Sequence, residues 1–240
     1  YTAVDRWKID INASPQARVT TSQDTSVPAG GGFSYSLKVD CTTAESAVAA
    51  GETMHIAQNI EAQNLQRLDY GAAGAKTITL SFWVSSPKTG THCVSIDQQD
   101  GGSTFIREFT VAVVNTWEQF TVTFPGDTSG TINNDTGTGL TLIFPLLNGS
   151  TYQDDADAWT GSGTKWATSN QQNLLDNTAN NFYIGGVQFE VGSVATDFEH
   201  EDYGTTLDKC QRYLQGVWSD GNYDCIANGA TTTTTSTQHV

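Results

Sequence analysis

The sequence predicts an all-β protein built as an antiparallel sandwich of two sheets. Short runs alternate apolar and polar residues, most clearly over residues 78–84, where Ile78, Leu80, Phe82 and Val84 share one face. Glycine-rich turns such as Asp100-Gly101-Gly102 separate neighbouring runs. Long helical periodicity is almost absent, and this pattern favours antiparallel sheets over a βαβ fold.

The predicted strands share this period-2 pattern. In chain order they are residues 1–11, 33–39, 54–60, 78–84, 93–98, 105–114, 117–124, 140–144 and 182–191. Residues 61–68 predict a helical turn with Leu65 and Leu68 facing inward. Pro145 cannot donate to a sheet ladder, so it predicts a strand end at an edge or a bulge. A chain of 240 residues is long enough to bury a sizeable core in one large β domain.

The charge balance argues against some classes of partner. The formal net charge is -15, and the 11 basic residues form no run. Nucleic acids and anionic membranes are therefore not predicted, because phosphate binding relies on clustered Lys and Arg. The acidity is compatible with neutral glycans, with cations, or with solubility alone. No apolar run approaches the ~20 residues of a membrane span, and no signal peptide is visible.

Cysteine and histidine give no metal or catalytic pattern. The spacing of the four cysteines matches no zinc site, so buried free thiols are predicted, with a Cys210–Cys225 disulfide as the alternative. The four histidines are dispersed, and the chain lacks the GxSxG, HExxH and P-loop motifs.

The last predicted strand contains a change of phase. Phe182 and Ile184 alternate with polar neighbours, and the apolar set then resumes one residue late, at Val187, beyond Gly185-Gly186. Such a slip at a glycine pair predicts a β-bulge. A short helix follows, with Leu207, Cys210 and Leu214 on one side and Thr205, Thr206 or Asp208 as candidate caps.

This region carries a family resemblance. Residues 187–199 (VQFEVGSVATDFE), followed by Tyr203-Gly204 and residues 210–213 (CQRY), resemble the end of a carbohydrate-binding-module-like jelly roll that recurs in phage tail-fibre and other virion surface proteins. Residues 1–7 (YTAVDRW) and 77–84 (TITLSFWV) resemble the opening and the central strand of the same family. The resemblance spans roughly residues 1–214.

The resemblance implies a jelly-roll fold and a place on the virion surface, after assembly in the host cytoplasm. It also implies binding to host-surface polysaccharide, contact with other virion proteins, and a homotrimer. The family usually has residues upstream of Tyr1, so the chain is expected to be a fragment, a processed product or the ordered part of a longer protein.

Two regions are expected along the chain. Residues 1–200 are predicted to form the jelly-roll sandwich. Residues 201–240 are predicted to form the helix and a short β extension for oligomerisation or for connection to a further domain. Within that extension, residues 217–223 predict a hairpin around Asp220-Gly221, and the threonine run 231–235 is expected to pair with a neighbouring chain or to form a tail.

The candidate site lies in the long polar segment 147–180, which is far longer than a usual hairpin connection. Sugar binding needs flat apolar faces and planar polar groups, and Tyr152, Asp157, Trp159 and Trp166 have this composition. The alternative is that both tryptophans pack beneath the segment as a satellite core.

No cofactor is predicted. The acidic cluster Asp154-Asp155-Ala156-Asp157 does not match an EF-hand loop, so a solvated acidic loop is favoured. The resemblance leaves room for a structural calcium, which is common in related carbohydrate-binding modules.

The predicted function is non-catalytic glycan binding. One alternative is a purely structural virion protein, either a capsid decoration or a fibre, without a sugar site. Another is a polysaccharide-degrading enzyme or its accessory module, which would need two carboxylates flanking a cleft. Asp97, Glu108, Glu118 and Glu190 are candidates, but no pair stands out in the sequence.

Overall fold

A computed structural model describes residues 6–211 and shows an antiparallel β-sandwich of the jelly-roll class, as the sequence predicts. The strands, in chain order, are β1 (Lys8–Asn12), β2 (Arg18–Asp24), β3 (Ser36–Thr43), β4 (Thr53–Glu61), β5 (Ile78–Ser85), β6 (Gly90–Gln98), β7 (Ser103–Val111), β8 (Trp117–Phe124), β9 (Thr138–Asn148), β10 (Trp159–Thr160) and β11 (Asn181–Val191). The six-stranded sheet has the order β1-β4-β9-β6-β7-β10, and the five-stranded sheet has the order β2-β3-β11-β5-β8.

The core fills the space between the two sheets. The alternation in β5 places Ile78, Leu80, Phe82 and Val84 inward, and all four are fully buried. The Phe82 ring meets the Phe144 ring of the facing sheet edge to face, with centroids 5.2 Å apart. Burial of a side chain of this size stabilises the fold by about 1.5–3 kcal/mol.

The structure adds two strands that the sequence pattern did not predict. β2 has the sequence RVTTSQD and lies at the edge of its sheet, with most of its side chains at least partly exposed. β10 contains only Trp159 and Thr160 and pairs with β7. Neither segment has the apolar alternation of a half-buried strand, because an edge strand can pair through its backbone while its side chains stay in solvent.

The predicted bulge and helical turn are both confirmed. The register of β11 against β5 shifts between Gly185 and Gln188, and Gly186 has a φ of 54°. A 3-10 helix spans Ala62–Leu68 and buries Leu65 and Leu68. Pro145 does not end its strand, because β9 continues to Asn148, but it lies at a register shift opposite Met54 and His55, as the bulge prediction requires.

The chain divides into two compact units, Tyr1–Phe198 and Glu199–Val240. In the second unit, helix α1 spans Tyr203–Gln211. The predicted caps are wrong, because Asp202 accepts a hydrogen bond from the Thr205 N–H at 3.0 Å, and this bond lowers the pKa of Asp202.

Several sequence predictions fall outside the described residues. They concern Leu214, Cys225, the hairpin 217–223 and the threonine run 231–235. No helix in residues 6–211 has the length and apolar character that crossing a membrane requires.

Cys41 and Cys93 in the sandwich are free thiols, as predicted. Cys41 and Cys93 are buried, and Cys210 is half-buried. Burial raises the pKa of Cys41 and of Cys93, which keeps both thiols protonated and unreactive.

Candidate functional site

The outer face of the six-stranded sheet carries a polar groove. In β1 and β4, Ile9 and Met54 point into the core, so their neighbours Asp10 and His55 point outward. The groove has a volume of about 340 Å³. It is lined by Lys8, Asp10, Ile11, Asn12, His55, Asn59, Asp97, Gln99, Thr138, Thr141, Ile143 and Trp166.

Trp166 forms an aromatic wall of this groove and is fixed by three neighbours. Its Nε1–H donates to Asp97 Oδ2 at 3.2 Å. The Tyr152 ring stacks on the indole with centroids 5.0 Å apart and an interplanar angle of 6°. The His55 ring lies 4.7 Å from the indole centroid. The Tyr152 hydroxyl also accepts a hydrogen bond from Asn12 Nδ2, which connects the stacked pair to β1.

The long segment positions Trp166 by folding back on itself. The Trp166 N–H donates to the Tyr152 carbonyl at 3.0 Å, and the Asp154 N–H donates to the Ala167 carbonyl at the same distance. Ala167 is buried against Cys93 and Ile106 on the outer face of the sheet. The segment therefore has ordered contacts of its own, which its polar composition did not reveal.

Trp159 lies elsewhere. It pairs in register with Phe105, and directly opposed residues in an antiparallel pair project from the same face, here the core face. Its ring packs edge to face on Phe105 at 5.4 Å and on Tyr70 at 5.8 Å, and its Nε1–H donates to the Pro125 carbonyl at 3.0 Å. The structure thus brings Tyr152 and Trp166 together and separates them from Trp159.

Asp157 is also away from the groove. Its carboxylate forms an ion pair with Arg107, and its N–H donates to the Ile106 carbonyl at 3.0 Å. Its φ of 69° places it in the left-handed region, where an aspartate is tolerated better than most residues. These contacts give Asp157 a role in holding the segment against β7.

Two titratable groups beneath the groove are perturbed in opposite senses. Burial raises the pKa of Asp97 to about 6, although the hydrogen bond from Trp166 works against this shift. Burial lowers the pKa of His55 to about 4, although the carboxylate of Asp10 works against it. At neutral pH the ring of His55 is therefore uncharged, and the charged groups at its end of the groove are Lys8 and Asp10, which form an ion pair at 2.8 Å.

Of the carboxylates proposed for catalysis, Asp97 lines the groove, and the structure places a further carboxylate, Asp10, in the same lining. Asp10 and Asp97 lie three strands apart in the sheet, and the rings of His55 and Trp166 lie between them. Glu108 accepts hydrogen bonds from Thr168 and Asn170 beneath the long segment.

The other two candidate carboxylates serve local structure. Glu118 binds the N–H groups of Ala112 and Val113, and Glu190 binds Thr196. Within residues 6–211, no group of three or more His, Cys, Asp or Glu side chains is placed to hold a metal ion.

Sequence comparison finds no protein family whose profile matches the chain, and no curated protein matches it significantly. Solved structures do resemble it in fold. The family 11 carbohydrate-binding module of Clostridium thermocellum, solved with a β-1,3-1,4-mixed-linked tetrasaccharide, has 14% identity and a TM-score of 0.43, over 82% of this chain and 94% of the module. A xylan-binding family 22 domain from Paenibacillus barcinonensis has 16% identity and a TM-score of 0.40, over 78% of this chain and 92% of the domain.

A phage protein has a similar fold. The enzymatically active domain of tailspike protein 4 from bacteriophage CBA120 has 15% identity and a TM-score of 0.42. The match covers 78% of this chain but only 20% of the tailspike chain. At these identities the likenesses concern the fold alone.

Proposed function

We propose that the protein is a non-catalytic glycan-binding module and that the groove on the six-stranded sheet is its binding site. The observation that carries this proposal is the fixed position of Trp166, with Asp97 bonded to its edge and Tyr152 stacked on its face. A rigid aromatic wall offers apolar surface to a sugar ring at little cost in side-chain entropy.

The polar lining suits sugar hydroxyls. Asn12, Asn59 and Gln99 bring planar amides that donate and accept, and Thr138 and Thr141 add hydroxyls. Binding sites of this kind combine apolar walls with a few placed polar groups. The groove crosses several strands on an open face, so we infer that it takes a stretch of a polysaccharide chain.

The finer biological role is part of the same proposal. We infer that the module acts on a virion surface, as a tail-fibre-like homotrimer that contacts other virion proteins and host-surface polysaccharide. Asp97 already accepts a hydrogen bond from Trp166, and Glu108 accepts hydrogen bonds from Thr168 and Asn170, which supports binding without hydrolysis.

The test is a panel of bacterial surface polysaccharides, with binding and reducing-end release measured on the same samples. We expect at least one polysaccharide to bind and no reducing ends to appear. Trp166→Ala should weaken binding at least tenfold while the protein remains folded, because it removes the aromatic wall.

Trp117→Ala is the matched control, because Trp117 is a half-buried tryptophan on the five-stranded sheet. It should leave binding unchanged. Equal losses in both variants would overturn the assignment of the groove. Release of reducing ends would show an enzyme, and no binding by the folded protein would favour a structural virion protein.

A further inference from the structure

The sandwich has an open flank between β1 and β2, which are edge strands of different sheets. A second cavity of about 230 Å³ lies between residues of the two sheets near this flank, and we call it the flank notch. Its lining includes Trp7, Gln23, Tyr35, Leu37, Gln58 and Ile184. None of these residues lines the groove on the outer face of the six-stranded sheet.

Three uncharged polar side chains converge on the notch without protein partners. Gln23 of β2, Gln58 of β4 and Tyr35, which precedes β3, make no side-chain hydrogen bond to another residue in the range 6–211. The two amides and the phenol together supply donors and acceptors in several directions. Gln58 is half-buried, whereas Gln23 and Tyr35 are exposed, so all three can exchange bound water for the hydroxyl groups of a ligand.

The apolar part of the notch is fixed. Trp7 packs on Phe144 with ring centroids 6.0 Å apart, and Leu37 and Ile184 are buried in the core. The backbone of the bulge at Gly185-Gly186 forms another wall. An aromatic ring, an apolar floor and free amides are the combination that a sugar ring with its hydroxyls requires.

We propose that the flank notch is a second binding site, which takes a single uncharged sugar residue. Its volume is below the 300–1,000 Å³ of sites for larger ligands, so it has room for one ring and not for a chain. The lining contains no carboxylate. The net charge of -15 disfavours anionic sugars, and the unpartnered side chains are themselves neutral.

The test uses the full chain labelled with ¹⁵N and titrated with the methyl glycosides of glucose, galactose, mannose and N-acetylglucosamine. The side-chain NH₂ resonances of Gln23 and Gln58 report the notch directly. We expect at least one glycoside to shift both resonances in a saturable manner.

Variants then locate the ligand. Gln58→Leu and Tyr35→Ala should each weaken that glycoside roughly tenfold, because each removes a hydrogen bond to the ligand. Gln119→Leu is the matched control, because Gln119 is an exposed glutamine on the outer face of β8. This variant should bind the glycoside with the same affinity as the wild type. Unchanged affinity in both notch variants, or no shift with any glycoside, would overturn the proposal.

This proposal and the groove proposal can fail separately. Resonance shifts at Gln23 and Gln58 without any polysaccharide binding would support the notch as a sugar site and would overturn the groove as a polysaccharide site. Polysaccharide binding that depends on Trp166, without such shifts, would do the reverse.

Discussion

At the residue scale, Asp97 and His55 make stability depend on pH in opposite directions. The pKa of Asp97 is raised to about 6 in the folded protein, from an ordinary value of 3.8. Its contribution to stability is therefore complete below pH 4 and is lost as the pH rises through about 6. The lost amount is about 3 kcal/mol, at 1.36 kcal/mol per pKa unit. The pKa of His55 is lowered from 6.5 to about 4, so its contribution is complete above pH 6.5 and is lost as the pH falls through about 4.

The two trends offset each other in the wild type, and single substitutions should separate them. In Asp97→Asn, the amide still accepts from Trp166, and the free energy of unfolding should fall by up to about 3 kcal/mol between pH 6.5 and pH 4, relative to wild type. In His55→Gln, the free energy of unfolding should rise by a similar amount between pH 6.5 and pH 4, relative to wild type. Urea unfolding at half-unit pH steps measures both, and slopes of the same sign in the two variants would contradict the assignment.

At the element scale, the amide of Gln171 takes the place of a stretch of sheet ladder. β6 pairs with β9 only over Ser95–Gln98, and beyond it Pro145 has no N–H to donate. The Gln171 side chain accepts from the Cys93 N–H at 2.6 Å and donates to the Pro145 carbonyl at 3.2 Å. One side chain from the long segment thus satisfies backbone groups of both strands.

Gln171→Ala should therefore destabilise the fold by about 1–3 kcal/mol, because the Cys93 N–H and the Pro145 carbonyl lose their partner. Chemical unfolding measures the loss. Gln119→Ala removes an exposed glutamine from β8 and should change stability by less than about 0.5 kcal/mol. A Gln171→Ala variant as stable as this control would show that water replaces the amide without cost.

The bulge in β11 depends on Gly186 for two reasons that can be measured apart. Its φ is 54°, and a Cβ there would lie 2.6 Å from a ring carbon of Phe33 and 3.0 Å from one of Trp83. Gly102 also has a positive φ, 64°, but a Cβ there would meet nothing within 4 Å. Gly102→Ala should cost about 1–2 kcal/mol from the backbone alone, and Gly186→Ala should cost at least about 1 kcal/mol more. Equal thermal unfolding midpoints for the two variants would mean that the Phe33 ring moves aside freely.

At the scale of the whole molecule, the sequence predicts the buried strands well and the edge strands poorly. β5 and β11 could be found because one face of each must stay in the core, which imposes an apolar period of 2. β2 and β10 have no such constraint, since pairing through the backbone leaves no apolar alternation in the sequence. The antiparallel two-sheet sandwich follows from the buried strands, whereas the jelly-roll class is implied by the family resemblance and the strand order within each sheet is not predicted.

Prediction of the candidate site from the sequence has the same limit as prediction of the strands. Tyr152 and Trp166 are singled out by their composition, and they do stack on each other, with Trp166 in the lining of the groove. Trp159 has the same composition but faces the core, because the pairing of β10 with β7 sets its direction. The groove residues Asp10, His55, Asn59 and Asp97 come from strands far apart in sequence, so only the sheet order brings them together. The sequence does place these residues at outward positions of predicted strands, but nothing in it distinguishes them from the other outward positions.

The net charge of the whole molecule leads to a prediction about salt. The protein carries -15, and the groove itself holds Asp10 and Asp97 against the single cation Lys8. An uncharged polysaccharide should therefore bind with an affinity that hardly changes between 0.01 and 0.3 M NaCl, because no ion pair forms. An anionic polysaccharide should bind more weakly at 0.01 M, where the screening length is about 30 Å and the repulsion acts over the whole groove. Calorimetric titrations of one neutral and one acidic polysaccharide at both salt concentrations make the comparison. A neutral ligand that loses tenfold in affinity at high salt would show that charged groups of the protein recognise it directly.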